Sequence, residues 1–472
     1  MKRLWQAAIV PALGALALMS GSSTASGRTS PQGAAAARRL NVVFIVSDDE
    51  RADGTAVMHN VQRLLAAHGV TFSNFDVTTS ECGPSRASIL TGEYSHHTGV
   101  LGNFGPHSYP AFDRDDLAVW LHRSGYETAI VGKYLNDYTE YGHNRIDPGW
   151  DDWQVMDSIP EEKYYDYKLD ENGRIVHYGS KPADYSTTVL TKKALAFLRS
   201  ARKPFFLYFA PVAPHLPAIP APQDLGRLDD LPAFTSPAVR EIDISDKPWS
   251  AYHSRELTRE GAAYTDEIRR RQLETLLSVD QSVKQIVSTL AKRHLLSRTV
   301  IFYTSDNGFL WGEHRLGGKL WPYGPSTHVP LIVRTPWRQA NGTVDREPVL
   351  NIDFASTISR LAGIAPGRPQ DGQSFVPLLH GEKIRWRRDY LVEYLGRNKL
   401  RTGGPPPYVA LRTPRYLYVD YHYHGWQELY NLHTDPWELQ NLASDPADRQ
   451  LMASLRRRML RLYDAPPRRE TT

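Results

Sequence analysis

The chain of 472 residues contains one cysteine, Cys82. A single thiol cannot close an intrachain disulfide, and a cysteine-rich zinc site is excluded with it. Such a thiol is either buried and inert or kept for its chemistry, and the count alone favours the inert reading. Long apolar runs are also missing. The N-terminal run from Ala7 to Met19 is interrupted by Pro11 and Gly14 and falls short of the roughly 20 residues that span a bilayer. An excess of one charge sign is missing too: 56 Lys+Arg against 52 Asp+Glu leave a net +4, with no basic stripe interleaved with aromatics. No nucleic-acid partner is therefore expected, only a slight preference for anions. Internal repeats and long low-complexity tracts are absent. What remains, 41% hydrophobic and 23% charged, is the composition of a globular protein.

Lys2 and Arg3 precede the apolar run and Gly21, Ser22, Ser23, Thr24 and Ala25 follow it. That order predicts an export signal over 1–26, cut near Ala25 or Ser26. Residues 27–39 read as a flexible linker. The mature chain is expected to be secreted or otherwise extracytoplasmic, without stable membrane insertion. Short β-branched apolar runs predict buried strands at 41–46, 128–131, 205–210, 299–304 and 329–333. Helical spacing lies between them at 61–68, 117–124, 187–198 and 273–291. The alternation predicts an α/β fold, a mostly parallel central sheet flanked by helices, over 40–375. Within it, 150–184 and 220–259 read as a surface excursion and an irregular insertion. A smaller C-terminal α+β subdomain is expected over 376–472, with strands at 390–394, 408–411 and 415–421 and a closing helix at 446–463.

The strongest local signal is Cys82-Gly83-Pro84-Ser85-Arg86, continuing to Thr91-Gly92. Proline suits the first turn of a helix and glycine suits its end, so Cys82 stands at a helix N-terminus, where free N–H groups favour an anion. Arg86, one turn on, can add fixed positive charge at the same end. Two acidic pairs follow buried strands. Asp48-Asp49 ends the first, and Asp306-Asn307-Gly308 ends the strand at 299–304. In open α/β sheets this carboxyl edge is where ligands bind. Three carboxylates and one amide are hard oxygen donors suited to Ca²⁺ or Mg²⁺ rather than zinc. Each pair alone reads more simply as a turn.

The cysteine segment resembles the signature of the sulfatases, enzymes of the alkaline-phosphatase-like superfamily. The resemblance implies that Cys82 is oxidised to formylglycine by a formylglycine-generating enzyme. The aldehyde then acts as its hydrate: one hydroxyl attacks sulfur, and the second expels sulfate as the aldehyde reforms. It also implies that Asp48, Asp49, Asp306 and Asn307 hold the divalent cation together with the residue at Cys82. Lys133, in Gly132-Lys133, and Lys319, in Gly317-Gly318-Lys319, are implied sulfate ligands; His314, Arg315 and His328 are neighbouring alternatives to Lys319. His215, in Pro214-His215-Leu216-Pro217, is implied to protonate the leaving oxygen, and Arg86 to stabilise the site. Gly83 and Leu135 depart from the commoner family pattern, which often has another small residue and a histidine there.

The likeness runs from about 41 to 441. Several stretches, among them 132–136, 164–167, 276–280 and 301–308, look closest to N-acetylglucosamine-6-sulfatases. The expected substrate is a sulfate ester on a sugar or glycosaminoglycan. Trp150 and Trp153 could stack on a sugar ring or fill the core. The rival readings are an arylsulfatase, a phosphodiesterase or phosphonate monoester hydrolase of the same fold, and a non-catalytic glycan-binding protein.

Overall fold

In the computed structural model, which describes residues 39–469 except 106, 109–114, 139–145, 157–163, 240, 253–257, 338–339, 398 and 422, the apolar runs become one ten-stranded sheet. The expected export signal and all but the last residue of the linker lie outside the described residues. The strands are β1 (Asn41–Ser47), β2 (Gly69–Phe72), β3 (Glu127–Gly132), β4 (Asp152–Met156), β5 (Tyr167–Glu171), β6 (Arg174–Tyr178), β7 (Phe205–Ala210), β8 (Thr299–Ser305), β9 (Leu331–Arg334) and β10 (Thr343–Asp345). Their order across the sheet is β10-β2-β9-β8-β1-β7-β3-β4-β5-β6.

The middle five, β8-β1-β7-β3-β4, are all parallel. Around them the sheet is mixed. β9 runs antiparallel to β8 and β2, because no crossover helix returns the chain between 305 and 331. On the other flank β5 and β6 form a hairpin over Asn172 (φ 55°) and Gly173 (φ 89°), the positive-φ pair that a tight two-residue turn demands. The segment expected as a surface excursion thus contributes three strands to the sheet.

β1 is buried along its whole length, with alternate residues feeding two cores. Val42, Phe44 and Val46 face one, with α1 (Cys82–Thr91), α2 (Leu117–Arg123) and later α5 (Asp353–Leu361). Val43 and Ile45 face the other, with α3 (Ser186–Ser200) and α4 (Arg259–Lys292). Both faces being covered explains why these strands read as continuous apolar runs. α4 is far longer than the helix expected at 273–291. It begins where the Thr258 hydroxyl accepts from the Gly261 N–H (3.0 Å). No described helix is long and apolar enough to cross a membrane.

The C-terminal part forms a separate antiparallel sheet of β11 (Tyr390–Tyr394), β12 (Tyr408–Arg412), β13 (Tyr416–Tyr421) and β14 (Trp426–Asn431), covered by α6 (Arg449–Tyr463). Among the buried carboxylates that join it to the rest, Glu428 gathers the most donors. Glu428 of β14 accepts from Trp249 Nε1 (2.9 Å), Tyr323 Oη (2.9 Å), Tyr421 Oη (3.2 Å) and Tyr430 Oη (3.0 Å). Because the central strands are parallel, all their carboxyl ends open on one edge. The functional side chains collect there.

Candidate active site

β1 and β8 pair in register, Ser47 opposite Ser305, so Asp48 and Asp306 leave the sheet side by side. Asp49 turns back at φ 70°, a conformation aspartate tolerates, and its N–H donates to Asp306 Oδ1 (3.2 Å). The Asn307 amide donates to Asp49 Oδ1 (2.7 Å), and Asn307 Oδ1 is buried without a partner among the described residues.

α1 starts at Cys82 and stops at Gly92, which is left-handed at φ 77°. The Gly83 N–H donates to Asn103 Oδ1 (2.7 Å), and a Cβ at 83 would stand only 3.1 Å from that oxygen. Glycine therefore fits this departure from the commoner pattern. Cys82 is fully buried, with Sγ 3.4 Å from Asp48 Oδ1 and 3.9 Å from Asp49 Oδ1. Burial, and then the charge of Asp48, push the thiol well above its ordinary pKa. A thiolate nucleophile is disfavoured here.

Arg86 ties three strand ends together. Its Nε donates to Asp306 Oδ2 (2.8 Å), Nη1 donates to the Lys133 carbonyl (2.9 Å), and Nη2 lies 4.0 Å from Asp48 Oδ2. Lys133 follows β3 and places Nζ 2.6 Å from Asp48 Oδ2. It gets there because Gly132, at φ 120°, lies against β7 so closely that a Cβ would meet the Ala210 oxygen at 2.0 Å. Lys319 Nζ is 2.6 Å from Cys82 Sγ and ion-paired with Asp49. His215, in the loop after β7, donates from Nδ1 to the Leu216 carbonyl (2.6 Å), and its Nε2 is 3.6 Å from Asp49 Oδ2. Asp48, Asp49, Cys82 and His215 each offer a donor atom, all within 4.8 Å of one another.

The nine residues singled out from the sequence thus meet in one place. The alternatives are engaged elsewhere. His314 Nδ1 contacts Glu241 (2.6 Å), Arg315 donates to backbone carbonyls of Glu241 and Ile242, and His328 faces Asp76 (3.3 Å). His96 and His97, in the helical turn that follows α1, pair with Glu393 (2.8 Å) and Asp371 (2.7 Å) and so are no part of the cluster. Leu135, Trp150 and Trp153 are core residues, which settles the stacking question for the two tryptophans.

Electrostatics show what the site needs. Burial would raise the Asp48 carboxyl, but Lys133, His215, Arg86 and Lys319 outweigh it and hold the group well below the ordinary value. Asp306 is pushed up by burial and by Asp48 despite Arg86. Three carboxylates face three fixed cations, so an anionic ester would enter a pocket with no net attraction for it. A divalent cation would reverse that balance. The clustered carboxylates and the unpartnered Asn307 oxygen suit a hard cation.

Sequence reasoning missed one wall. A cleft of about 420 Å³ opens beside Asp49, His215 and Lys319, lined by Leu216, Phe309 and Leu310 and by Tyr264, Thr265 and Ile268 of α4. The signal that extends α4 this far is present: Asp266 pairs with Arg270 (2.9 Å) and Glu267 with Arg271 (2.7 Å), both at helical i,i+4 spacing.

Residues 40–364 match the family model described as Sulfatase, and 312–465 match one described as N-sulphoglucosamine sulphohydrolase, C-terminal. The N-acetylglucosamine-6-sulfatase of Capra hircus is 33% identical over 90% of this chain and 83% of its own length. A solved structure in complex with its substrate D-glucosamine-2-N,6-O-disulfate superposes with TM-score 0.77 at 24% identity, covering 91% of this chain and 99% of the other. The phosphonate monoester hydrolase of Agrobacterium radiobacter superposes with TM-score 0.73 at 22% identity, covering 90% and 95%. At those identities the two structures speak for the fold.

Proposed function

The chain belongs to the sulfatase family and is a sulfuric ester hydrolase, and from that premise we propose that it desulfates an amino sugar, as N-acetylglucosamine 6-sulfate or within a glycosaminoglycan, using formylglycine made from Cys82. The observation that carries this reading is the convergence of Cys82 with both acidic strand ends, two lysines and one histidine at the mouth of a half-apolar cleft. The sugar class follows from the relative's name and overall identity.

Each side chain has a task in that reaction. Asp48, Asp49, Asp306 and Asn307 would hold Ca²⁺ or Mg²⁺, which would supply positive charge against the ester and make the attacking hydroxyl more acidic. Formylglycine would supply two hydroxyls on one carbon, one to attack and one to release the sulfate. Lys133 and Lys319 bind the non-bridging sulfate oxygens as point charges. Arg86 is a positioning residue: it fixes Asp306 and the Lys133 backbone, so the strand ends keep their spacing. The Nδ1–H bond to Leu216 orients the His215 ring and turns Nε2 toward the cleft; as the imidazolium, with both nitrogens protonated, the ring gives its Nε2 proton to the leaving oxygen. The leaving sugar sits in the cleft between Leu216 and α4. Export agrees with the N-terminal signal pattern and with an extracellular glycan as substrate.

Three measurements test the reading. Mass spectrometry of the peptide that carries residue 82 should show the thiol replaced by an aldehyde in protein from the native host; an intact thiol in fully active protein would sink it. Sulfate release should be faster from N-acetylglucosamine 6-sulfate than from aryl sulfates, and phosphate diesters or phosphonate esters should be poor. Chelation should abolish turnover, with Ca²⁺ or Mg²⁺ restoring it.

A further inference from the structure

Beyond the C-terminal end of α1 lies a second cavity of about 460 Å³. The ten residues of α1, roughly 15 Å at the helical rise, separate its start at Cys82 from this region. Tyr94, just past α1, lines the wall, and so do Arg360 at the end of α5 and Arg468 and Arg469 after α6. The terminal segment is anchored there: Gln370 and Arg468 exchange backbone hydrogen bonds (2.6 and 2.7 Å).

The charges of this cavity do not cancel. Its two carboxylates are engaged: Asp389 accepts from Arg458 Nε (2.8 Å), and Asp371 accepts from the Tyr94 N–H (2.8 Å) and contacts His97 (2.7 Å). A fourth arginine of the wall, Arg387, is committed to Asp353 (2.8 Å). Arg360, Arg468 and Arg469 have no carboxylate partner among the described residues. Gln373, in the same wall, carries a buried side-chain N–H₂ with no acceptor among the described residues. Arg360 also stands in the last turn of α5, where a cation is favoured in any case, which accounts for one of the three. The remaining surplus is of donors only, and planar guanidinium groups match the oxygens of a sulfate or carboxylate.

We propose that this cavity is a docking site for the sulfate or carboxylate groups of a sulfated oligosaccharide, separate from the catalytic centre. The ligand class rests on the sulfated-sugar reading; the binding site itself does not. A chain of several sugar units held here raises its own local concentration near the enzyme, whereas a monosaccharide gains nothing.

The test uses the full chain with Cys82→Ala, so binding is read without turnover or modification. Calorimetric titration with a heparin oligosaccharide should give an affinity at least ten-fold weaker in the added triple variant Arg360→Glu, Arg468→Glu, Arg469→Glu. It should also weaken with salt. The triple Gln variant, which removes charge without reversing it, should lose less, and it replaces the Glu variant if that one fails to fold. In the Cys82-containing chain the same substitutions should leave kcat and KM for N-acetylglucosamine 6-sulfate unchanged. Equal oligosaccharide affinity in the charge variants would overturn the proposal. So would inorganic sulfate displacing the oligosaccharide from the cavity at the same concentration, since the site would then take any small anion. If monosaccharide sulfate is not hydrolysed while the oligosaccharide still binds through these arginines, the proposed reaction fails and the docking site stands.

Discussion

Cys82→Ala should abolish sulfate release while the circular dichroism spectrum and melting temperature stay close to those of the parent, because the side chain is small and its role is chemical. Residual turnover above a few per cent would contradict the proposed nucleophile. Gly132→Ala acts through the backbone instead. With φ at 120° and the Ala210 oxygen 2.0 Å from a would-be Cβ, β3 must separate from β7, and Lys133 moves with it. We expect a loss of about 2–4 kcal/mol in urea unfolding and a fall in kcat of at least ten-fold. At this scale much can be read from the sequence, because the cysteine helix and the glycine-lysine step are contiguous motifs. The meeting of Asp48 with Asp306 is of another kind. It depends on two strands some 250 residues apart lying in register, which a sequence pattern suggests only through the parallel-sheet rule.

Helix ends supply a pH-dependent contribution. The Asp116 carboxyl group caps α2 by accepting from the Val119 N–H (3.0 Å), and burial pushes its pKa up to about 8. The folded chain then keeps a proton that the unfolded chain has lost above about pH 4. Stability from this group therefore falls as pH rises from about 4 to about 8 and is level beyond. Asp116→Asn keeps an acceptor without a charge. It should match the parent near pH 4 and exceed it near pH 8 by about 5 kcal/mol, roughly 1.4 kcal/mol for each unit between the two pKa values, read from melts at the two pH values. The first half of α4 shows why elements are harder to read than motifs. Before Leu273 its face is charged and exposed, so apolar periodicity gives out, although Tyr264 and Ile268 there line the cleft. Tyr264→Ala should raise KM for the sugar sulfate several-fold with kcat little changed; an unchanged KM would remove α4 from the substrate's path.

Across the whole molecule, the fold class follows from alternating strands and helices, while the antiparallel flanks do not, since β5, β6 and β9 enter through turns that the alternation does not encode. Nor does the sequence reveal that the insertion carrying Trp249, the site loop carrying Tyr323 and the C-terminal sheet share one carboxylate, Glu428. Glu428→Ala removes the acceptor that four buried donors share and should cost about 3 kcal/mol or more. Because that joint links both sheets, differential scanning calorimetry of the parent should show one transition from 39 to the C-terminus, not two.

The thiol at position 82 has no solvent exposure, and carboxylates and a lysine ammonium crowd its sulfur. No second protein can seat its own catalytic groups against an atom so enclosed. On the proposed chemistry, oxidation must precede closure of the chain, while the segment is still an extended peptide. Protein that folds unmodified would be permanently inert, and only unfolding, not a longer incubation with the modifying enzyme, would make it convertible.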